Sequence, residues 1–130
     1  EVEGGELVVD FGCGSGILGI AALLLGARHM AGTDIDPQAI ESTINNATAN
    51  KVISGIKVVG ASDFSQIPKV DIVIANILAK PLISLVETFA ELLSSEGKII
   101  MSGILAGQES AIIESFKGSF IDFQIQALDF

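Results

Sequence analysis

The sequence predicts one doubly wound α/β domain. Short apolar runs of strand length alternate with segments of helical periodicity along the 130 residues. Each predicted strand is almost entirely apolar, which is typical of a parallel sheet covered by helices on both faces. The length fits a single domain, and no internal repeat, low-complexity tract or linker divides it. We therefore expect a mostly parallel sheet between two layers of helices.

The first half of the chain predicts three strands and two helices. A buried strand is expected at Leu7–Phe11, followed by glycines, an apolar helix at 17–25 and a second strand at His29–Thr33. The third strand is expected at Ile56–Val59, because this run is rich in β-branched residues.

Two residues predict the start of the second helix. Asp36 is expected to be its N-cap, and Pro37 occupies the first turn, where a missing backbone N–H costs nothing. Ile40, Ile44 and Ala47 recur at the spacing of one helix face, so we expect them to be the buried face.

The second half repeats the alternation. A fourth strand is predicted at 70–75, a helix at 81–94 with Gly97 as its C-cap, and a fifth strand at 98–101. A last helix at 108–116 and a last strand at 120–128 follow. The buried side of the helix at 81–94 is expected to consist of Leu85, Phe89 and Leu92.

Composition excludes several classes of protein. Lys and Arg total 7 against 16 Asp and Glu, a formal net charge of −9 that repels nucleic-acid phosphates and tolerates a cationic ligand or a basic protein. The longest apolar stretch, 17–25, is too short to cross a bilayer, and no signal peptide is recognisable. The single cysteine, Cys13, cannot form an internal disulfide, which agrees with a cytoplasmic location.

The loop after the first strand is the predicted ligand site, since ligands of open α/β sheets bind at the carboxyl ends of the strands. It contains Gly12, Gly14 and Gly16, which let the backbone turn sharply and a ligand approach closely. A literal GxGxxG pattern also runs from Gly14 to Gly19, with Asp34 about 20 residues after its first glycine. This spacing alone would fit a dinucleotide such as NAD.

Asp10 weighs against the dinucleotide. Its carboxylate would oppose a doubly anionic pyrophosphate but would favour S-adenosylmethionine, which carries an ammonium and a sulfonium. With Gly12 the loop reads D-x-G-x-G-x-G, the form typical of methyltransferases. We therefore predict S-adenosylmethionine as the cofactor, and count Asp10, Gly12, Cys13 and Gly14 among the residues that bind it.

Further donor-binding candidates follow the second and third strands. Asp34 can accept hydrogen bonds from both ribose hydroxyls, or it can simply cap its own turn. Ile35, directly after it, is included with it. Asp63 can receive the adenine amino group, with Phe64 against the ring, although a solvated loop aspartate explains it almost as well. Asp36 is better explained as the helix N-cap than as a ligand.

Asn76, at the end of the fourth strand, is the predicted catalytic residue and is also counted among the donor-binding residues. Methyl transfer to nitrogen is a direct displacement, to which a protein contributes mainly positioning and desolvation. An amide can accept a hydrogen bond from the attacking amine without giving it a proton. The alternative is a polar cap on the helix that begins near Pro81.

The sequence gives little support for nucleophilic catalysis or for metal binding. Cys13 has no histidine near it in sequence, and His29 is expected to be structural. One histidine and one cysteine do not make a metal site. Ser15 lies in G-S-G, which is not a nucleophile elbow.

Four segments together resemble the bacterial PrmA family, the methyltransferases that modify ribosomal large-subunit protein eleven. They are VVDFGCGSGILGIAALLLGA, GTDIDPQAI, ANILAKPL and MSGILAGQ, in this order. The resemblance implies a class I methyltransferase with a Rossmann-like fold that methylates lysine and N-terminal amino groups of that protein. It also implies that Gly12 and Asp34 bind the donor and that Asn76 lies beside the methyl group.

The resemblance ends at the two ends of the chain. Family members carry an N-terminal substrate domain, a Thr- and Gly-rich segment before the first strand and a final antiparallel strand, none of which we recognise in 1–130. We therefore interpret 1–130 as a truncated donor-binding domain. Two other hypotheses stay open: an NAD-linked oxidoreductase, and a module that binds the donor without catalysis.

Overall fold

The structure is a computed structural model that describes residues 2–59, 67–76 and 84–120. Within these segments five strands form one sheet in the order β3-β2-β1-β4-β5, and every neighbouring pair is parallel. The strands are β1 (Leu7–Phe11), β2 (His29–Thr33), β3 (Ile56–Val59), β4 (Val70–Asn76) and β5 (Leu93–Ser102). The predicted parallel α/β sheet is confirmed.

Helices cover both faces of this sheet. They are α1 (Ile17–Leu24), α2 (Pro37–Ala49), α3 (Val86–Leu92) and α4 (Glu109–Phe116), with a short 3₁₀ turn at Ile53–Gly55. α1 packs on one face and has α2 beside it, whereas α3 and α4 pack on the opposite face. The described part of the chain contains no helix long and apolar enough to span a membrane.

The alternation of side chains along each strand divides the core into two layers. Val8 packs with Ile72 on the α1 side, and Val9 packs with Val73 on the α3 and α4 side. Phe89 of α3 is fully buried in the second layer. The aromatic side chains of this layer are in contact, with ring centroids 5.1 Å apart for Phe11 and Phe89 and 6.4 Å apart for Phe89 and Phe116.

The predicted elements agree closely with the structure in the first half of the chain. The first three strands have the expected bounds, and the helix predicted at 17–25 ends one residue earlier. Asp36 is the N-cap of α2, as predicted, because its Oδ1 accepts the N–H of Gln38 at 2.9 Å.

The prediction for the buried face of α2 was partly wrong. Ala47 is buried, but Ile44 is 41% exposed and Ile40 is only half-buried. The fully buried position is Thr43, which faces the loop after β1. A polar side chain can occupy the centre of the face because its hydroxyl has partners in that loop, the carbonyl of Gly14 and the Sγ of Cys13.

The end of the helix predicted at 81–94 was also wrong. α3 ends at Leu92, and β5 begins at Leu93 without an intervening loop. Gly97 lies inside β5, where the register with β4 shifts, and it is not a C-cap. The first residues of the predicted helix and nearly all of the predicted strand at 120–128 lie outside the described residues.

Candidate ligand-binding site

The candidate site lies where β1, β2 and β4 end. Phe11 of β1 is in register with Thr33 of β2 and with Ala75 of β4. The residue after each of these is a predicted site residue, namely Gly12, Asp34 and Asn76. Adjacent strands are about 4.8 Å apart, so Asp34 and Asn76 lie on either side of the glycine loop, about 10 Å from each other. The chain turns to opposite sides of β1 here, which makes it the topological switch point.

The glycine loop, residues 12–16, is tied down through its backbone N–H groups. Gly12 and Cys13 both donate to the carbonyl of Thr33, at 2.8 and 2.9 Å. Gly14 donates to Asp34 Oδ2 at 3.0 Å, and Gly16 donates to the carbonyl of Cys13 at 2.8 Å. These four N–H groups are therefore engaged within the protein and are not free to bind an anion. They cannot contribute to a cradle for the pyrophosphate that a dinucleotide brings.

The loop conformation requires glycine. Gly12, Gly14 and Gly16 have φ values of 71°, 57° and 80°, in the left-handed region that other L-residues rarely adopt. At Gly16 a Cβ would also lie 2.8 Å from the Cγ2 of Thr43. At Gly14 a Cβ would have no atom within 4 Å, so the space beside this residue is open.

Asp10 caps the start of α1. Its side chain is 2% exposed, and its Oδ2 accepts the N–H of Gly19, in the first turn of the helix, at 3.0 Å. Gly16, the N-cap of α1, has no side chain to do this. The chain's own carboxylate therefore occupies the position at which the helix N-terminus would otherwise favour a phosphate.

The surroundings of Asp10 favour a cationic neighbour. Burial raises the pKa of its carboxyl from 3.8 to about 6, the hydrogen bond from Gly19 opposes this rise, and the charge of Asp34 adds to it. A cation near these two carboxylates would offset both the desolvation cost of the Asp10 charge and the repulsion between the carboxylates.

Asp34 joins the loop to the end of β2. Its Oδ1 accepts the N–H of Asp36 at 2.9 Å, so it caps its own turn, as the alternative interpretation expected. Its Oδ2 accepts the N–H of Gly14. A carboxylate has about four lone-pair positions, so two remain for a ligand. Ile35 follows with 89% of its surface exposed.

The remaining predicted residues are placed as follows. Asn76 is exposed at the end of β4, level with the glycine loop. Cys13 is buried, and burial raises the pKa of its thiol, which makes it a poor nucleophile. Asp63, together with Phe64, lies outside the described residues. Within the described segments, no group of three or more His, Cys, Asp or Glu side chains could hold a metal ion.

Two side chains at the site were not foreseen from the sequence. Thr43 Oγ1 donates to the carbonyl of Gly14 at 3.0 Å, and Asn46 Nδ2 donates to the carbonyl of Ser15 at 2.8 Å. The sequence feature that could have indicated them is their spacing. Two polar residues three apart lie on the same side of a helix that buries one face.

The chain matches the family model described as ribosomal protein L11 methyltransferase (PrmA) over residues 1–128. The ribosomal protein L11 methyltransferase of Hahella chejuensis is 50% identical over 116 residues, which cover 89% of this chain and 39% of that protein. The protein of the same name from Psychrobacter arcticus is 46% identical over 121 residues, covering 88% and 39%.

A solved structure shows the same fold. The ribosomal protein L11 methylase of Lactobacillus delbrueckii subsp. bulgaricus superposes with a TM-score of 0.85 at 34% identity, covering 96% of this chain and 66% of that one. The chain thus spans about two fifths of the length of the curated relatives it matches. From the glycine loop, the strand order and these likenesses together, the chain belongs to the ribosomal protein L11 methyltransferase (PrmA) family.

Proposed function

We propose that this chain binds S-adenosylmethionine and is the catalytic part of a protein N-methyltransferase. The observation that carries the proposal is the hydrogen bond from Gly19 to Asp10. This hydrogen bond holds the buried carboxylate of Asp10 at the start of α1, where a dinucleotide would bring its pyrophosphate. A donor with an ammonium, a sulfonium and no phosphate suits this site.

Residues at the carboxyl edge of the sheet would hold the donor. Asp34 accepts two backbone N–H groups and has further lone-pair positions that would accept the ribose hydroxyls, and the exposed side chain of Ile35 would pack against the adenine. Asp10 attracts the positive charges of the methionine part. The open space beside Gly14 lets the donor approach the backbone closely.

Asn76 is assigned to the transfer step. A bound donor would supply a methyl group on a positively charged sulfur. A neutral amine would form the new nitrogen–carbon bond as the sulfur–carbon bond breaks, with S-adenosylhomocysteine as the leaving group, and the methylated amine would then release its extra proton to solvent. The side-chain oxygen of Asn76 accepts a hydrogen bond from the amine and so directs its lone pair towards the methyl group. Its place at the end of β4, beside the glycine loop, suits this role.

The proposed substrate is a ribosomal large-subunit protein, methylated on lysine and N-terminal amino groups. The matched relatives are named for methylation of ribosomal protein L11. The net charge of −9 favours a basic protein substrate and disfavours nucleic acid. Such a substrate places the activity in the cytoplasm.

Two titrations test the cofactor. Calorimetry with S-adenosylhomocysteine and with NAD, side by side, is expected to show binding of the first and no heat from the second. Tight binding of NAD without a response to S-adenosylhomocysteine would overturn the proposal. Transfer of a labelled methyl group to a ribosomal protein by the complete enzyme then tests the activity.

A further inference from the structure

Two side chains of α2, Thr43 and Asn46, hold the carbonyl side of the glycine loop. We propose that they are positioning residues for the donor: they fix the loop in its binding conformation and act through Gly14 on Asp34. The inference rests on the proposed binding of S-adenosylmethionine. It concerns residues of α2 that contact the glycine loop and are not among the predicted donor-binding residues.

The loop needs such support because its glycines supply none. Three of its five residues are glycines with positive φ, and glycine loses more conformational entropy on ordering than any other residue. No side chain of these three residues can anchor the backbone. Apart from the hydrogen bond of Gly16 to the Cys13 carbonyl within the loop, its conformation is held by groups outside the loop.

The supports come from two directions. The end of β2 holds the N–H side of the loop, through the carbonyl of Thr33 and the carboxylate of Asp34. α2 holds the carbonyl side, because Thr43 and Asn46 donate to the consecutive carbonyls of Gly14 and Ser15. The two donors are three residues apart, so they lie on the same face of the helix.

Thr43 is the tighter of the two supports. It has no exposed surface, and its hydroxyl lies 3.0 Å from the Gly14 oxygen and 3.3 Å from Cys13 Sγ. A Cβ built on Gly16 would clash with its Cγ2 and Oγ1. The loop therefore packs closely against α2 at Gly16. Loss of the Thr43 hydroxyl would remove the hydrogen bond to the Gly14 carbonyl.

Gly14 transmits the effect to the donor site. Its N–H binds Asp34 Oδ2, and its carbonyl binds Thr43, so this one residue joins the proposed ribose acceptor to α2. If the Thr43 hydrogen bond is lost, Gly14 gains freedom and Asp34 loses a fixed partner. The donor must then order the loop on binding, which weakens its affinity.

Paired valine variants test the role of Thr43. Thr43→Val keeps the shape of the side chain but removes the hydroxyl. We expect it to weaken S-adenosylhomocysteine binding about tenfold in calorimetry, the size of one lost hydrogen bond plus loop ordering. Thr43→Ser is expected to restore most of the affinity. Thr48→Val is the matched control, since Thr48 Oγ1 donates to the carbonyl of Ile44 within α2.

Asn46 is tested by a second pair. Asn46→Ala is expected to weaken S-adenosylhomocysteine binding several-fold, whereas Asn45→Ala, on the same helix with its side chain exposed, is expected to leave it unchanged. Both changes gain helix propensity equally, so the difference reports the contact with Ser15.

A readout without ligand separates this inference from the proposed function. Thr43→Val is expected to speed amide hydrogen exchange at Gly14 and Gly16 in the free protein, with Thr48→Val again unchanged. If the wild-type chain binds S-adenosylhomocysteine and Thr43→Val binds it equally well, the positioning role is wrong while the cofactor proposal survives. A wild-type chain that does not bind it refutes both.

Discussion

Replacement of Asp10 by Asn is expected to stabilise the free protein and to weaken donor binding. Asp10 is buried, and its pKa is raised from 3.8 to about 6, chiefly by desolvation. The carboxylate at neutral pH therefore opposes folding. Asn has the same shape, and its oxygen can still accept the N–H of Gly19.

The magnitude follows from the pKa values. The rise from 3.8 to about 6 corresponds to about 3 kcal/mol of unfolding free energy lost when the carboxyl ionises in the folded state. Between about pH 4 and pH 6 the unfolded chain has released this proton and the folded chain still holds it, so stability from this group falls as the pH rises. At pH 8 we expect Asp10→Asn to be more stable than wild type by about 1–3 kcal/mol, with the difference shrinking towards pH 4.

Urea unfolding at pH 4.5, 6 and 8 measures this effect. The chain has no Trp or Tyr, so far-ultraviolet circular dichroism is the suitable signal. Asp36→Asn is the control, because the Asp36 carboxylate also accepts a backbone N–H but is exposed. An Asp10→Asn variant that is no more stable than wild type at pH 8 would refute desolvation as the dominant effect.

The same variant tests the electrostatics of the site. Loss of the negative charge is expected to weaken S-adenosylmethionine binding at least tenfold at pH 7.5, since a nearby opposite charge in a partly buried site contributes more than about 1.4 kcal/mol. For the wild type, affinity is expected to fall between pH 7.5 and pH 5, as Asp10 takes up its proton. Unchanged affinity in Asp10→Asn would remove Asp10 from the donor site.

Three further outcomes are expected. Asp34→Ala removes the proposed acceptor for both ribose hydroxyls and should weaken S-adenosylhomocysteine binding at least 100-fold in calorimetry, because hydrogen bonds to a charged group are worth about 1.5–3 kcal/mol each; unchanged affinity would exclude Asp34 from the site. Asn76→Ala in the complete enzyme should slow methyl transfer and change donor affinity by less than about threefold, and wild-type turnover would contradict its catalytic role. Asp36→Ala removes the N-cap of α2 and should lower the unfolding free energy by about 1 kcal/mol in urea titrations, without a change in donor affinity.

The strand pattern made most of the fold predictable from the sequence. In a parallel sheet covered on both faces, each strand is largely apolar, so its bounds stand out against the turns. This is why Leu7–Phe11, His29–Thr33 and Ile56–Val59 were predicted with the observed bounds. Asp36 followed by Pro37 fixed the start of α2 for a similarly local reason.

Predictions failed where the outcome depends on a partner distant in sequence. Apolar periodicity placed Ile44 on the buried face of α2, because a sequence pattern does not show that the Gly14 carbonyl lies opposite Thr43. In the same way Gly97 was predicted to be a helix C-cap. In the structure the chain pairs with β4 from Leu93 onwards, so Gly97 lies within β5.

The same distinction between local and distant partners applies to the candidate site. The sequence by itself determined which groups are present: the glycines of the loop and the polar residues Asp10, Asp34 and Asn76 at strand ends. Only the tertiary structure decided what they do to one another. It made Asp10 the cap of α1, set Asp34 against Gly14 and brought α2 onto the loop carbonyls, because hydrogen bonds and desolvation depend on distance in space and not on distance along the chain.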